Sequence, residues 1–177
     1  MKNITSAGML KTVLISTVIS CPLIAQGDLV DTYSIGTGQL EASIQFDFLN
    51  GNTHLFNIQW DGELTGRGVF DMILNERSDI FDFTYIAYSF GDFLTGVTIG
   101  DDGNFGTGTP PEYLDTWKYW TAEGDGDFIS SAIGFSNRNL INGSSDAWVF
   151  GSNDAPATIP APATIALMGL TLVSRRR

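Results

Sequence analysis

The sequence predicts an α+β fold, mainly β: a single small domain of short antiparallel strands with one or two short helices. Three observations predict it. Apolar and polar residues alternate over short runs, which is the pattern of half-buried strands. Twenty glycines are spread through the chain, as many turns between short strands require. Helical spacing of apolar residues is plain in one short segment, 66–76. The 177 residues suit one domain plus processing segments, and 43% hydrophobic with 12% aromatic residues is enough to bury a core.

The clearest element is a hairpin. Ile44, Phe46 and Phe48 alternate with Ser43, Gln45 and Asp47; Phe56, Ile58 and Trp60 alternate with Asn57 and Gln59. Asn50-Gly51-Asn52 lies between them, and Asn-Gly usually marks a two-residue turn. Parity argues against that turn. It would set Phe46 opposite Leu55 and aim Phe56, Ile58 and Trp60 away from the core, because a one-residue slip inverts a strand's faces. An odd loop follows, of three residues (50–52) or five (50–54). Next, Val69, Phe70, Ile73 and Leu74 share one face of a helix over 66–76, with Thr65 placed to cap it. Further strands are expected near 80–90, where Phe81, Phe83 and Tyr85 alternate with Asp82 and Thr84, and at 93–99, 115–121, 128–135 and 145–150. Residues 100–112, with Asp101-Asp102-Gly103-Asn104 and Pro110-Pro111, read as a loop, and 151–162 as a linker. The globular domain is therefore expected over 28–150.

Charge is segregated along the chain. All twenty acids lie between Asp28 and Asp154, where only Arg67, Arg77, Lys118 and Arg138 oppose them, a balance of −16. An acidic body repels phosphate backbones, so no nucleic-acid partner is expected. The one cysteine is Cys21, near the N-terminus, which rules out a disulfide within the chain.

Candidate sites are few. The one histidine, His54, adjoins the hairpin loop and reads as solvated, and no Gly-x-Ser-x-Gly elbow offers a nucleophile for it. Catalytic residues and cofactors are expected to be absent, and the protein is expected not to be an enzyme. Glu123, Asp125 and Asp127 cluster oxygens on a flexible stretch that suits Ca²⁺, yet the twelve-residue loop with its closing glutamate is missing; the same holds for Asp101–Asn104. Acidic turns are the alternative. Trp117, Tyr119, Trp120 and Trp148 gather late in the chain. On a strand, Trp117 and Tyr119 share one face and Trp120 takes the other. They serve either as core or as a stacking platform for a sugar or another flat ligand.

The two ends carry the most specific signals. Residues 1–25 read as a secretory signal peptide: Lys2 and Lys11 are followed by a mostly apolar stretch to Ala25, and no acid appears before Asp28. Cleavage is expected after Ala25. Val18-Ile19-Ser20-Cys21 also resembles a lipoprotein box, which would leave a lipidated Cys21 as the first residue. At the far end Pro160-Ala161-Pro162 precedes an uncharged stretch, 163–173, and then Ser174 and Arg175-Arg176-Arg177. As a helix that stretch spans about 16 Å, against about 30 Å of bilayer hydrocarbon, so it suits a transient anchor. The arginines should stay cytoplasmic.

This order of parts resembles the PEP-CTERM sorting tail of Gram-negative bacteria, over residues 159–177. The resemblance implies an exosortase-type processing enzyme and the export machinery as partners, and the membrane as a partner through the tail. It also brings exopolysaccharide into view. Here Ala161 stands where the family has glutamate. A second, shorter likeness joins Tyr88–Phe93, Trp117–Trp120 and Leu140–Trp148, which together resemble the small C-terminal domain of transcobalamin-type proteins. That likeness implies a small α+β fold of a kind in which some members contact corrinoids, though Ser144-Ser145-Asp146 departs from the family's Gly-Asp turn. The expected function is an exported, non-enzymatic cell-surface or matrix-associated protein, in the cell envelope or outside it, transiently anchored in the inner membrane. The alternative is a module binding a glycan or a corrinoid-type small ligand.

Overall fold

The computed structural model describes residues 27–124, 126–157 and 159; the stretch expected as a signal peptide and the expected sorting tail at 160–177 lie outside them. Among the described residues, nine strands and one α-helix follow the chain as β1 (Asp28–Gly36), β2 (Leu40–Asp47), β3 (Asn52–Trp60), α1 (Gly66–Arg77), β4 (Phe81–Tyr88), β5 (Gly91–Ile99), β6 (Asp102–Phe105), β7 (Trp117–Glu123), β8 (Ile129–Ser130) and β9 (Ser144–Phe150). The class is the expected one, α+β and mainly β. Six strands form a sheet in the order β1-β3-β2-β9-β7-β8, and three form a second, β4-β5-β6. The larger sheet is mixed, because β1 runs parallel to β3 and β2 parallel to β9.

The hairpin β2–β3 has the odd parity the alternation demands. Ile44 lies opposite Phe56 and Phe46 opposite His54, and the loop is the three residues Leu49–Gly51, one position earlier than expected. Phe48 N donates to Asn52 O at 2.9 Å, and Gly51 N donates back to Phe48 O at 3.0 Å. This shift extends β3 backwards and corrects the expectation for His54. It stands on the strand, on the same face as Phe56 and Ile58, and is buried rather than solvated.

The expectations missed β1 and β6. Strand β1 is exposed along its first half and turns only Tyr33 and Ile35 inward. It reaches β2 by passing over the end of β3, so that β3 lies between two strands consecutive in sequence. Only glycine permits that crossing. A Cβ on Gly36, at φ 73°, would stand 2.3 Å from Gln59 O, and one on Gly38 would stand 2.1 Å from Trp60 O. Strand β6 falls within the expected loop at 100–112; pairing with β5 organises it, not apolar content of its own. The strand expected over 128–135 is reduced to the two residues of β8, followed by a 3-10 turn at Phe135–Asn137.

Helix α1 starts where the sequence placed it. Thr65 Oγ1 accepts from Gly68 N at 3.1 Å, and Val69, Phe70 and Ile73 are fully buried. They fill the space between one face of each sheet. Phe46 is the centre of that core, with ring centroids of Phe56, Phe70, Phe81, Trp117 and Trp148 all 5.4–6.1 Å away. The stretch 151–157, expected as a linker, is anchored to the large sheet through a buried Pro156 and hydrogen bonds at Ala157.

Candidate functional site

Pairing of β7 with β9 determines which late aromatics meet. Trp117 faces Phe150 and Tyr119 faces Trp148, so these four share the inner side. Trp120 faces Ala147 and Ser130 and takes the outer side, as the strand period requires. The structure thus brings Trp117, Tyr119 and Trp148 together and leaves Trp120 apart. Trp117 and Trp148 are almost wholly buried, while Tyr119 is half-buried and stacks on Trp148 at 4.5 Å and 18°.

These three rings line one side of a cleft of about 550 Å³, a size ordinary for small-ligand sites. Asp92, Phe93 and Leu94 of β5 line it from the small sheet, with Ser130, Ser131 and Phe135 nearby. Several of the cleft's polar groups are committed to partners within the protein. Asp92 Oδ2 accepts from Arg67 Nη1 at 2.9 Å, and Trp117 Nε1 donates to Asn104 O at 3.2 Å. Lys118 Nζ donates to Tyr113 O at 3.0 Å, and Ser131 Oγ to Ile133 O at 2.9 Å.

Beneath Tyr119 lies a buried ionic network that the alternation of aromatics did not reveal. The Tyr119 hydroxyl donates to Asp146 Oδ2, and Arg138 Nε donates to Asp146 Oδ1 at 2.9 Å. Asp146 is 1% exposed. Burial pushes its carboxyl above the usual range, against the opposing pull of Tyr119 and Arg138. Burial, reinforced by the neighbouring Asp146, likewise pushes the Tyr119 hydroxyl up. The signal in the sequence was Asp146 itself, set on the same strand face as Trp148.

A second network joins the two sheets. Asp102 of β6 accepts from Asn50 Nδ2 at 2.7 Å and from Asn52 Nδ2 at 3.0 Å, and it bonds His54 Nε2 at 2.8 Å. Burial opposes its charge, yet the hydrogen bonds from His54, Asn52 and Asn50 outweigh burial and hold the carboxyl below its usual value. The other ring nitrogen, Nδ1, is buried and meets no hydrogen-bond partner among the described residues. Among the described residues, no hydroxyl lies within hydrogen-bond distance of either ring nitrogen of His54.

The acidic stretches do not form a cation site among the described residues. Glu123 and Asp127 are both exposed at the end of β7 and beyond it, where Gly126 N donates to Glu123 O at 3.1 Å in a turn; Asp125 lies outside the described residues. Among the described residues no group of three histidine, cysteine or acidic side chains is arranged to hold a metal ion. Asp102, in the other acidic stretch, is already taken by Asn50, Asn52 and His54. No described helix is long and apolar enough to cross a membrane. Pro160, Ala161, Pro162, Arg175, Arg176 and Arg177, expected to form a sorting motif, lie outside the described residues.

No protein-family model matches the chain, and no curated protein or solved structure does.

Proposed function

We propose that this is an exported, non-enzymatic surface protein, delivered and released or re-anchored through its C-terminal sorting tail, with the acidic body as the delivered domain. The arrangement of charge supports this most directly. Basic residues bracket the chain at Lys2, Lys11 and Arg175–Arg177, and every acid lies between them. A positive-inside membrane retains the ends and passes the body outward. The commitment of several of the cleft's polar groups to internal partners, and of His54 to Asp102, favours a structural body over a catalytic one. The test is removal of residues 160–177. Surface display should be lost, and undiminished display of the shortened chain would refute the proposal.

The aromatic-sided cleft favours one further reading, a module for a glycan or small flat ligand. Tyr119 is the residue to probe there, because Trp117 and Trp148 belong to the core. Titrating wild type and Tyr119→Ala with polysaccharides and corrinoids, followed by tryptophan fluorescence, separates the readings. A saturable change in the wild type that Tyr119→Ala abolishes would establish the module, and a flat response would dismiss it.

A further inference from the structure

The end of the described body is held at a built attachment point. Asp47, on the outer face of β2, is buried with both carboxylate oxygens engaged. Oδ1 accepts from Gln45 Nε2 and from Thr53 Oγ1, each at 2.8 Å, and Oδ2 accepts from Ala157 N at 2.7 Å. Gln45 Nε2 also donates to Ala157 O at 2.9 Å. Both backbone polar groups of Ala157 are therefore gripped by side chains 110 and 112 residues away, and Pro156 is buried beside them. A charge-assisted bond inside a protein is among the stronger single hydrogen bonds.

The N-terminal end of the described body meets the same place. A Cβ on Gly27 would stand 2.3 Å from Thr53 Oγ1 and 2.8 Å from the Ala157 methyl. Asp28 N is fixed to Gly51 O at 3.1 Å. The chain thus enters and leaves the fold side by side. Residues 158 and 159 alone separate Ala157 from Pro160, a reach of at most about 10 Å.

We propose that Ala155–Ala157 is a strap, closed by Asp47 and Gln45, that shields the root of the sorting tail so that processing occurs beyond Ala157 and never before it. The strap's role rests on the delivery reading above; its closure does not. A protease needs an extended segment free of such bonds, so a closed strap confines cutting to the few residues between Ala157 and the membrane-directed stretch. An open strap exposes 151–157, and the body would be trimmed.

Hydrogen exchange on the purified full chain tests closure. The Ala157 amide should be protected, and Asp47→Ala should speed its exchange on the order of tenfold to a hundredfold while Ile58 in β3 is unaffected. If Asp47→Ala unfolds the body, Gly27→Val replaces it: the added side chain displaces the Ala157 methyl and Thr53 Oγ1, a donor to Asp47, while keeping the Asp47 carboxylate, and must loosen Ala157 but not Ile58. An unprotected Ala157 in the wild type, or variants that leave its protection unchanged, overturns the strap. In exporting cells, the mass of the released product reports the role. Wild type should retain Ala157, and the Gln45→Ala or Asp47→Ala product should be shortened into 151–157. Identical product masses overturn the shielding role. If display ignores residues 160–177 while Ala157 stays protected, the delivery reading fails and takes the role with it, and the closed strap stands.

Discussion

Removing Arg138 should expose how the buried Asp146 is tolerated. Asp146 is 1% exposed, and its hydrogen bonds come from Arg138 Nε at 2.9 Å and from the Tyr119 hydroxyl. Arg138→Ala deletes the one cation of the group. Breaking a buried pair from one side costs about 3–5 kcal/mol when the remaining charge has nowhere to go. Here the remaining tyrosine still donates and the carboxyl is already pushed up by burial, so the lower figure, about 3 kcal/mol at pH 7, applies. For a body of this size that lowers Tm by roughly 10–15 °C. The pH dependence has a definite sign. A carboxyl whose folded pKa lies above its unfolded value binds its proton more tightly when folded, so stability falls as pH rises from the unfolded pKa through the folded one. Losing Arg138 raises the folded value further, and the loss should steepen with pH over that window. Asp146→Asn in the Arg138→Ala background removes the stranded charge and should recover about half of the deficit. Urea unfolding followed by tryptophan emission measures this, because Trp148 stacks on Tyr119 directly above the pair. A cost below about 1 kcal/mol, or a double variant no more stable than Arg138→Ala, would refute the account of Asp146 as a charge held by Arg138.

Other outcomes follow from the same packing. Phe46→Ala, at the centre of five aromatic neighbours, should cost about 3–5 kcal/mol in chemical denaturation; a loss under 1 kcal/mol would mean the core is not centred there. Gly36→Ala forces a side chain against Gln59 O at a positive φ and should cost about 2 kcal/mol or more, whereas Gly62→Ala, whose Cβ meets nothing, should cost only the backbone strain. Asp102 has its folded pKa lowered, so the stability it supplies is present above the unfolded value and is lost as pH falls through the folded one. Asp102→Asn should therefore flatten the acid limb of the stability profile, and an unchanged limb would place the acid sensitivity elsewhere.

Much of this architecture was legible because period and capping act locally. The alternation Ile44-Phe46-Phe48 against Phe56-Ile58-Trp60 fixed the parity of the hairpin, and parity survived although the loop moved to Leu49–Gly51. The same period carried information that went unread: His54 is two residues before Phe56 and had to point inward once β3 extended to meet it. Thr65 and the spacing of Val69, Phe70 and Ile73 placed α1 for a similar local reason. Strands β1 and β6 were not legible, because what holds them is the partner. Leu29 and Val30 are exposed on β1, and β6 is a four-residue strand, Asp-Gly-Asn-Phe, that exists through β5. The polar networks were hidden for a related cause. Asp47, Asp102 and Asp146 look alike among twenty acids, and only the topology that sets Ala157, His54 and Arg138 beside them makes them buried ties.

Those ties explain how this body holds together without a disulfide. One cysteine, Cys21, cannot close any loop within the chain. Segments far apart are joined instead through carboxylates: Gly36 N to Glu76 across 40 residues, His54 to Asp102 across 48, and Ala157 N to Asp47 across 110. The Asp102 and Asp47 ties, part-buried, contribute about 1.5–3 kcal/mol each, and the exposed Glu76 bond less, against the 2–5 typical of a disulfide in a small secreted domain, so together they match about one covalent crosslink. The substitution changes what the fold is sensitive to. A thiol reductant leaves every tie intact, while acid removes the charge on which Asp102 depends. Unfolding monitored with and without reductant at neutral pH, then at falling pH without it, should therefore show superimposable curves in the first pair and progressive loss in the second, and any dependence on reductant would contradict a fold held by carboxylates.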